Sequence, residues 1–472
     1  MASRVAITIG KLREFRRNAR MTRAQFDEMK LGKFRTLARY AAARAPYYSQ
    51  IVSERGIDLD RCTPHDFPPL TKAALMANFD RIVTDRRITK QGIADFLTRS
   101  HDPIDRFLGE FRVLHTSGTS GEVGYFVYSP EDWARGTALA MRPRGNRPRG
   151  RRARRLRRLR LAYYGAIGGH FAGVTMVSGA TRGLARLLVN VRLYEVNSPL
   201  PETVEALNNF KPDVLAGYTG ALTLLAEKQR AGILRIAPIS IATAGESMSA
   251  TDKRTLEEAF GCPANNGYGS SEHLMMGVAL PASTSMLLLD DDLIYEPFQD
   301  HTLVTNLFNY TLPLIRYRMA DILRPVEKRA AANSPYLEIE SLVGRSEMMP
   351  RFTNEDGADD FLSPHTINEI FVRGVLRFQM RLMDETGFRF AVCLDPGLPE
   401  AGRQEAIRSV EARLREILRQ KRMGNVRFTV DVVDDIPLNP KTRKFRLIVG
   451  EADGQPAKPS LSSAIVGPKE FP

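Results

Sequence analysis

Thr116-Ser117-Gly118-Thr119-Ser120-Gly121-Glu122-Val123 is a polar loop that runs into an apolar, aromatic stretch at 125–129, which reads as a strand. Four hydroxyls and two glycines fall within its first six residues. Glycine lets the backbone approach a ligand closely. Hydroxyls and inward-turned N–H groups suit phosphate oxygens. The spacing is not that of the Walker loop, G-x-x-x-x-G-K-[ST]. An ordinary polar turn is the other reading of the same residues, and the loop alone does not decide between them.

Downstream of this loop the chain alternates. Strand-like apolar runs at Leu161–Ile167, Leu187–Val196, Val214–Gly217 and Ile239–Ala244 are interleaved with helical patterns at 201–210, 219–232 and 249–260. That alternation predicts an α/β domain with largely parallel strands. Residues 285–325 read as strands and turns. Upstream, 24–55 reads as helical through Phe34, Leu37, Ala41 and Ala42, with an interruption at Ala45-Pro46-Tyr47-Tyr48. Thr71 is placed to cap a helix over 72–79. Beyond about 344 the pattern changes to paired strands at 376–383 and 387–394, an amphipathic helix at 399–420 and a strand near 426–433. The last stretch, 451–472, is rich in Gly, Pro and Ser and reads as a flexible tail.

The bulk numbers exclude some classes. A chain of 472 residues holds about two to four domains. Its 43% hydrophobic and 26% charged content is that of a soluble globular protein. Cys62, Cys262 and Cys393 are far apart and odd in number, giving neither a disulfide framework nor a zinc spacing. A cytoplasmic location is expected, since the N-terminus lacks a signal-peptide core and no run approaches the ~20 apolar residues of a membrane span. Most of the +14 net charge is local, because residues 142–160 carry eleven arginines and no acid. The run holds no aromatic residue for base stacking, so a solvated basic loop or exposed helix is preferred to a nucleic-acid surface. Contact with the phosphates of a nucleotide-bearing cofactor is a further reading.

Further segments stand in order around the 116–123 loop. They are Ala45-Pro46-Tyr47-Tyr48, Pro69-Leu70-Thr71-Lys72, Ala244-Gly245-Glu246, Gly267-Tyr268-Gly269-Ser270-Ser271-Glu272, Pro313 to Asp321, Gly344-Arg345-Ser346-Glu347 and Lys441-Thr442-Arg443-Lys444-Phe445-Arg446. Their order and spacing over roughly 30–450 resemble the adenylate-forming superfamily, and within it the phenylacetate–coenzyme A ligase-like branch, some of whose members are linked to capsule biosynthesis. The resemblance implies an α/β protein with a large N-terminal adenylate-forming domain over 1–344, built of mixed sheets and flanking helices. A small mobile α+β C-terminal domain over 345–450 would follow, with 451–472 as the tail.

The implied reaction joins a carboxylic acid, expected to be aromatic, to the α-phosphate of ATP with loss of pyrophosphate. The acyl group then passes to coenzyme A, or to a carrier-protein thiol or an amine. Two anions must meet, so the task is charge neutralisation and positioning. By the same resemblance Thr116, Ser117, Gly118, Thr119, Ser120 and Gly121 cradle the phosphates, and Glu272 holds Mg2+. Asp321 accepts the ribose hydroxyls, and Arg345 contacts ribose or phosphate. Gly245, Glu246, Tyr268, Gly269, Ser270 and Ser271 surround the nucleotide, with Tyr268 either stacked on adenine or part of the core. Lys444 is the catalytic lysine, with Lys441 as its alternate, and Glu347 is the hinge. Tyr163, Tyr164, His170, Phe171, Tyr218 and Ala244 are assigned to the acyl pocket, which Met275 and Met276 would help close. A homodimer is among the expectations. Two departures stand out. Glu122 replaces the lysine that commonly follows the last loop glycine, and Arg443 replaces the glycine before the catalytic lysine. They keep a catalytically dead nucleotide sensor among the alternatives.

Overall fold

Proline lacks a backbone N–H and biases the residue before it away from helical geometry. Ala45 accordingly sits at φ −112°, ψ 111°, and the helical run read over 24–55 divides into Arg23–Arg44 and Pro46–Arg55. The first of these starts on a capping box between Thr22 and Gln25 and buries Phe34, Leu37 and Ala41. The computed structural model describes residues 4–116, 123–140, 157–181, 185–280, 285–326, 334–340, 348–368, 370, 372, 374–436 and 445–450. Ser117 to Glu122, the arginines from Arg142 to Arg155, Arg345, Ser346, Glu347, Lys441, Arg443, Lys444 and the 451–472 tail lie outside the described residues.

Strands β1 (Arg112–Thr116) and β2 (Gly124–Tyr128) form an antiparallel hairpin in which Thr116 faces Gly124. The phosphate-type loop is thus the connection between two paired strands. The large sheet takes β3 (Leu159–Gly165), β4 (Val189–Glu195), β5 (Val214–Gly217), β6 (Ser240–Ala244), β7 (Ala264–Ser270), β8 (Leu274–Ala279) and β9 (Met286–Leu288). A separate antiparallel sheet follows, made of β10 (Leu293–Pro297), β11 (Thr302–Asn306) and β12 (Tyr317–Met319). Strand β13 (Glu338–Ile339) then returns to the edge of the large sheet, whose order is β13-β9-β8-β7-β6-β5-β3-β4. Its pairs from β4 through β7 are parallel and those from β7 through β13 antiparallel. Helices Leu200–Phe210, Thr219–Arg230 and Ala250–Phe260 cover one face and bury Leu207, Leu222, Leu225 and Leu256 against Leu215 and Ile241.

The C-terminal part has its own core. After the hairpin β14 (Arg351–Thr353) and β15 (Asp359–Phe361), the strands β16 (Val375–Asp384), β17 (Gly387–Leu394), β18 (Arg427–Val432) and β19 (Ile448–Val449) form a sheet ordered β18-β17-β16-β19. Helix Glu400–Gln420 contributes Val410 and Leu414 to the same core as Phe388, Phe390 and Val392. The strands read at 376–383 and 387–394 are an antiparallel pair, as their alternation predicts. Among the described residues no helix is long and apolar enough to cross a membrane.

Helix Arg4–Asn18, which apolar periodicity does not reveal, is held by charge. Asp290, Asp291 and Asp292 are buried in succession. Lys11 and Lys33 bind Asp292 at 2.7 and 2.6 Å, Lys30 binds Asp290 at 2.9 Å, and the Asn18 amide donates to Asp291 at 2.9 Å. Burial raises the Asp292 pKa, but Lys11 and Lys33 outweigh it and hold the carboxyl at about 2. A depressed carboxyl stabilises the fold above its unfolded value near 4, and that contribution fades as pH falls toward about 2. It amounts to about 2 kcal/mol. In urea unfolding over a pH series, the stability gap between wild type and Asp292→Asn should therefore shrink as pH falls from about 4. A gap that stays constant over that range would show that Asp292 is held by packing rather than charge.

Candidate nucleotide and acyl site

In open α/β sheets ligands bind outside the carboxyl ends of the parallel strands. Here those ends are Gly165, Glu195, Gly217, Ala244 and Ser270. Gly217 has no alternative, because a methyl group at its α-carbon would collide with the Tyr164 carbonyl. Gly245, just past β6, has φ +86°, which glycine adopts without strain.

The turn from Ser270 to His273 joins β7 to β8 and is pinned from three directions. The Tyr128 hydroxyl donates to the Ser271 carbonyl at 2.6 Å, the Ser271 hydroxyl donates to the His115 carbonyl at 3.2 Å, and the Asn306 amide donates to the Glu272 carbonyl at 3.3 Å. These bonds tie the turn to both strands of the loop-bearing hairpin. Burial raises the Glu272 pKa, the Lys72 ammonium opposes that rise, and Asp321 adds to it. A divalent cation there would relieve both the burial and the repulsion. Among the described residues no cluster of three His, Cys, Asp or Glu side chains forms a metal cage. One carboxylate with substrate phosphates is how magnesium is commonly held, so Glu272 fits that role.

Asp321 follows β12 and accepts the Tyr268 hydroxyl at 2.8 Å. Its carbonyl accepts the Thr302 hydroxyl at 2.8 Å. The Tyr268 ring is buried in the core, the second of the two readings its sequence allows. Burial raises its phenol pKa, so it stays a donor to Asp321.

Two early motifs prove to be braces for this region. The Tyr48 hydroxyl donates to the Pro313 carbonyl at 2.8 Å and accepts the Ile315 N–H at 3.3 Å. Leu70 forms a parallel bridge with Tyr317, through the Arg316 carbonyl and the Arg318 N–H. Arg316, at φ 52°, makes a forked ion pair with Glu296 and also donates to the Phe67 carbonyl at 2.9 Å. The segment from Pro313 through β12, which leads to Asp321, is therefore fixed by both motifs.

Gly245 and Glu246 line a cavity of about 330 Å³ with Gly220, Thr223, His365 and Leu447. The Glu246 carboxylate accepts the Gly220 N–H at 2.7 Å, capping helix Thr219–Arg230, and lies 3.6 Å from His365. His365 stacks on Tyr218 at 4.0 Å and 15°. Burial lowers its pKa, so its imidazole tends toward the neutral form. Tyr268 and Asp321 do not line this cavity, so the residues expected around the nucleotide fall into two neighbouring groups.

The residues assigned to the acyl pocket do not share one surface. Neighbouring side chains of a strand point to opposite faces. Tyr163 packs with Phe171 and Ala216 on one face of the large sheet, while Tyr164 and Tyr218 join the helix-covered core on the other. His170 is buried 3.0 Å from the Ser100 hydroxyl, which also donates to Asp105 at 2.8 Å, and its ring meets Phe96 at 5.0 Å. Tyr164 and Tyr218 thus lie on the opposite side of the sheet from the Tyr163–Phe171 group, while the His170 ring is turned to the Ser100 anchor. His115, which no sequence signal marks, stands against Phe171 at 4.5 Å, and burial and His170 hold its pKa down at about 4. Of the arginine run, Arg157 forms a forked pair with Asp213 at 2.9 and 2.5 Å, which makes the end of the run a brace for β3.

No family model matches the chain. It is 21% identical over 352 residues to Protein CapK of Staphylococcus aureus, covering 68% of each chain. Among solved structures it is similar to 2-hydroxyisobutyryl-CoA ligase in complex with 2-HIB-AMP and CoA in the thioesterification state, with TM-score 0.53, 18% identity and coverage of 92% and 91%. An open conformation of 2-hydroxyisobutyryl-CoA ligase in complex with 2-HIB-AMP and CoA gives TM-score 0.51 at 17% identity, covering 92% and 93%. Identity at this level speaks to architecture, and the architecture agrees with the ordered motifs: the chain has the fold of the adenylate-forming enzymes.

Proposed function

We propose that the protein is an ATP-dependent acid–thiol ligase of the AMP-forming kind, acting on a small, aromatic carboxylic acid and resembling the phenylacetate–coenzyme A ligase branch. The observation that carries this reading is the bonded frame that joins the loop-bearing hairpin, the Glu272 turn and the Tyr268–Asp321 pair at the carboxyl edge of the sheet. In the first half-reaction a substrate carboxylate oxygen bonds to the α-phosphorus of ATP. The bond from that phosphorus to the oxygen bridging to the β-phosphate breaks, and pyrophosphate leaves. Thr116 and the loop glycines hold the phosphates, Asp321 orients the ribose, and Lys444 stabilises the charge that builds between carboxylate and phosphate. Mg2+, when bound, neutralises phosphate charge beside Glu272. In the second half-reaction the coenzyme A thiol loses its proton to solvent, its sulfur bonds to the acyl carbon, the bond from that carbon to the phosphate oxygen breaks, and AMP leaves.

The small domain over 345–450 would pivot at Glu347 between the two steps, as hinge positions do without touching substrate. Such a movement has to release contacts that now join it to the large part. Arg351 pairs with Glu227 at 2.6 Å, and the Leu200 N–H donates to Asp360 at 2.8 Å.

The test supplies MgATP and a panel of aryl, fatty and amino acids, with and without coenzyme A, and follows pyrophosphate and thioester together. One acid class should yield both products. Pyrophosphate without thioester would move the acceptor to a carrier-protein thiol or an amine, the reading that Arg443 in the lysine loop favours. Neither product, with any acid, would refute the ligase.

A further inference from the structure

We infer that Lys72 supplies the phosphate-facing cation that the 116–123 loop itself lacks. The inference rests on the proposed nucleotide site and concerns how that site neutralises a nucleoside triphosphate. The loop contains no lysine or arginine, and Glu122 adds a negative charge to it. A triphosphate needs positive partners, and charge-assisted bonds to phosphate are the strong ones.

Lys72 is brought to the loop by the fold. Its chain is fixed on one side by Leu70, whose N–H donates to the Arg316 carbonyl at 3.0 Å and whose carbonyl accepts the Arg318 N–H at 2.9 Å. It is fixed on the other by Thr71, whose hydroxyl accepts the Ala74 N–H at 3.1 Å. From there the side chain runs along the foot of the hairpin. A methyl group placed on Gly124 would sit 2.9 Å from Thr116 Oγ1 and 3.1 Å from Lys72 Cε. Thr116 and Gly124 are the paired residues on either side of the loop. The Lys72 side chain and the Thr116 hydroxyl therefore converge on one point at the loop's base, and glycine at 124 leaves room for both. A lysine delivered from a separate segment thus takes the place of one within the loop. The Pro-Leu-Thr-Lys motif then has a chemical role as well as a bracing one.

Binding to the full chain, measured by calorimetry with MgATP and with adenosine, tests this. Lys72→Met should weaken MgATP at least tenfold and leave adenosine within twofold, with an unchanged thermal midpoint. Lys72→Arg should restore most of the MgATP affinity. Wild-type affinity for MgATP in Lys72→Met, or an equal loss for adenosine, would overturn the inference. A wild-type chain that binds MgATP yet forms no pyrophosphate with any acid contradicts the ligase reading alone, and the comparison of Lys72 variants still decides this one.

Discussion

Lys421→Met should destabilise the protein by about 3–5 kcal/mol, the cost of leaving a buried carboxylate without its cation. Lys421 is fully buried, 2.8 Å from Asp360 and 3.0 Å from the Ser198 carbonyl, with its ammonium 4.3 Å from the centre of the Phe361 ring. Burial lowers its pKa and Asp360 opposes that fall. The Asp360 carboxylate also accepts the N–H groups of Leu200 and Phe361, both at 2.8 Å. Methionine fills the volume but leaves Asp360 charged and buried, and it strips the Ser198 carbonyl of its donor. The double variant Lys421→Met, Asp360→Asn should recover a large part of the loss, because neither position then carries a buried charge. Denaturant unfolding of the two single variants and the double reads the coupling. Additive losses would mean that the two groups do not depend on each other.

Glu272→Gln should slow pyrophosphate formation on the order of 100-fold and raise the magnesium needed for half-maximal rate about tenfold. Glutamine keeps the shape and the bonds that pin the turn, since these go through the Glu272 carbonyl and through Ser271. What it loses is the charge. The pH dependence follows with a definite sign. Burial raises the Glu272 pKa above the ordinary carboxylate range, and the ionised form is the one that holds a cation. The wild-type rate should therefore fall as pH drops through that raised value, and the acid limb should disappear in Glu272→Gln. An unchanged magnesium titration in the variant would remove Glu272 from the metal site.

The sheet was legible where side-chain periodicity matches the local environment. Val214–Gly217 coincides with its strand, and β3, β4 and β6 differ from their expected bounds by at most two residues, while β7, also parallel to its neighbour β6, carries no strand pattern in the sequence reading. The Thr71 cap was legible too, although the helix it starts ends at Ala77 because Asn78 leaves helical geometry. Helix Arg4–Asn18 was not, because its polar anchors Lys11 and Asn18 find their aspartates 281 and 273 positions away. The site was legible as motifs but not as roles. Tyr268 and Asp321 stand 53 positions apart, and no spacing rule says that one donates to the other. Lys72 stood within a quoted motif without a function, because its meaning depends on the Leu70–Tyr317 bridge. Tyr163 and Tyr164 failed as a pair for a simple reason, that adjacent strand residues face opposite ways. His365 and His115 carried no signal at all, since each gains its neighbours only through tertiary packing.

The central claim is that this site activates a carboxylic acid as its adenylate, and isotope exchange between pyrophosphate and ATP without any acceptor tests it most directly. Magnesium-dependent label should appear in ATP with one class of acid and not without acid. A protein that binds MgATP but exchanges no label with any acid of the panel would contradict it.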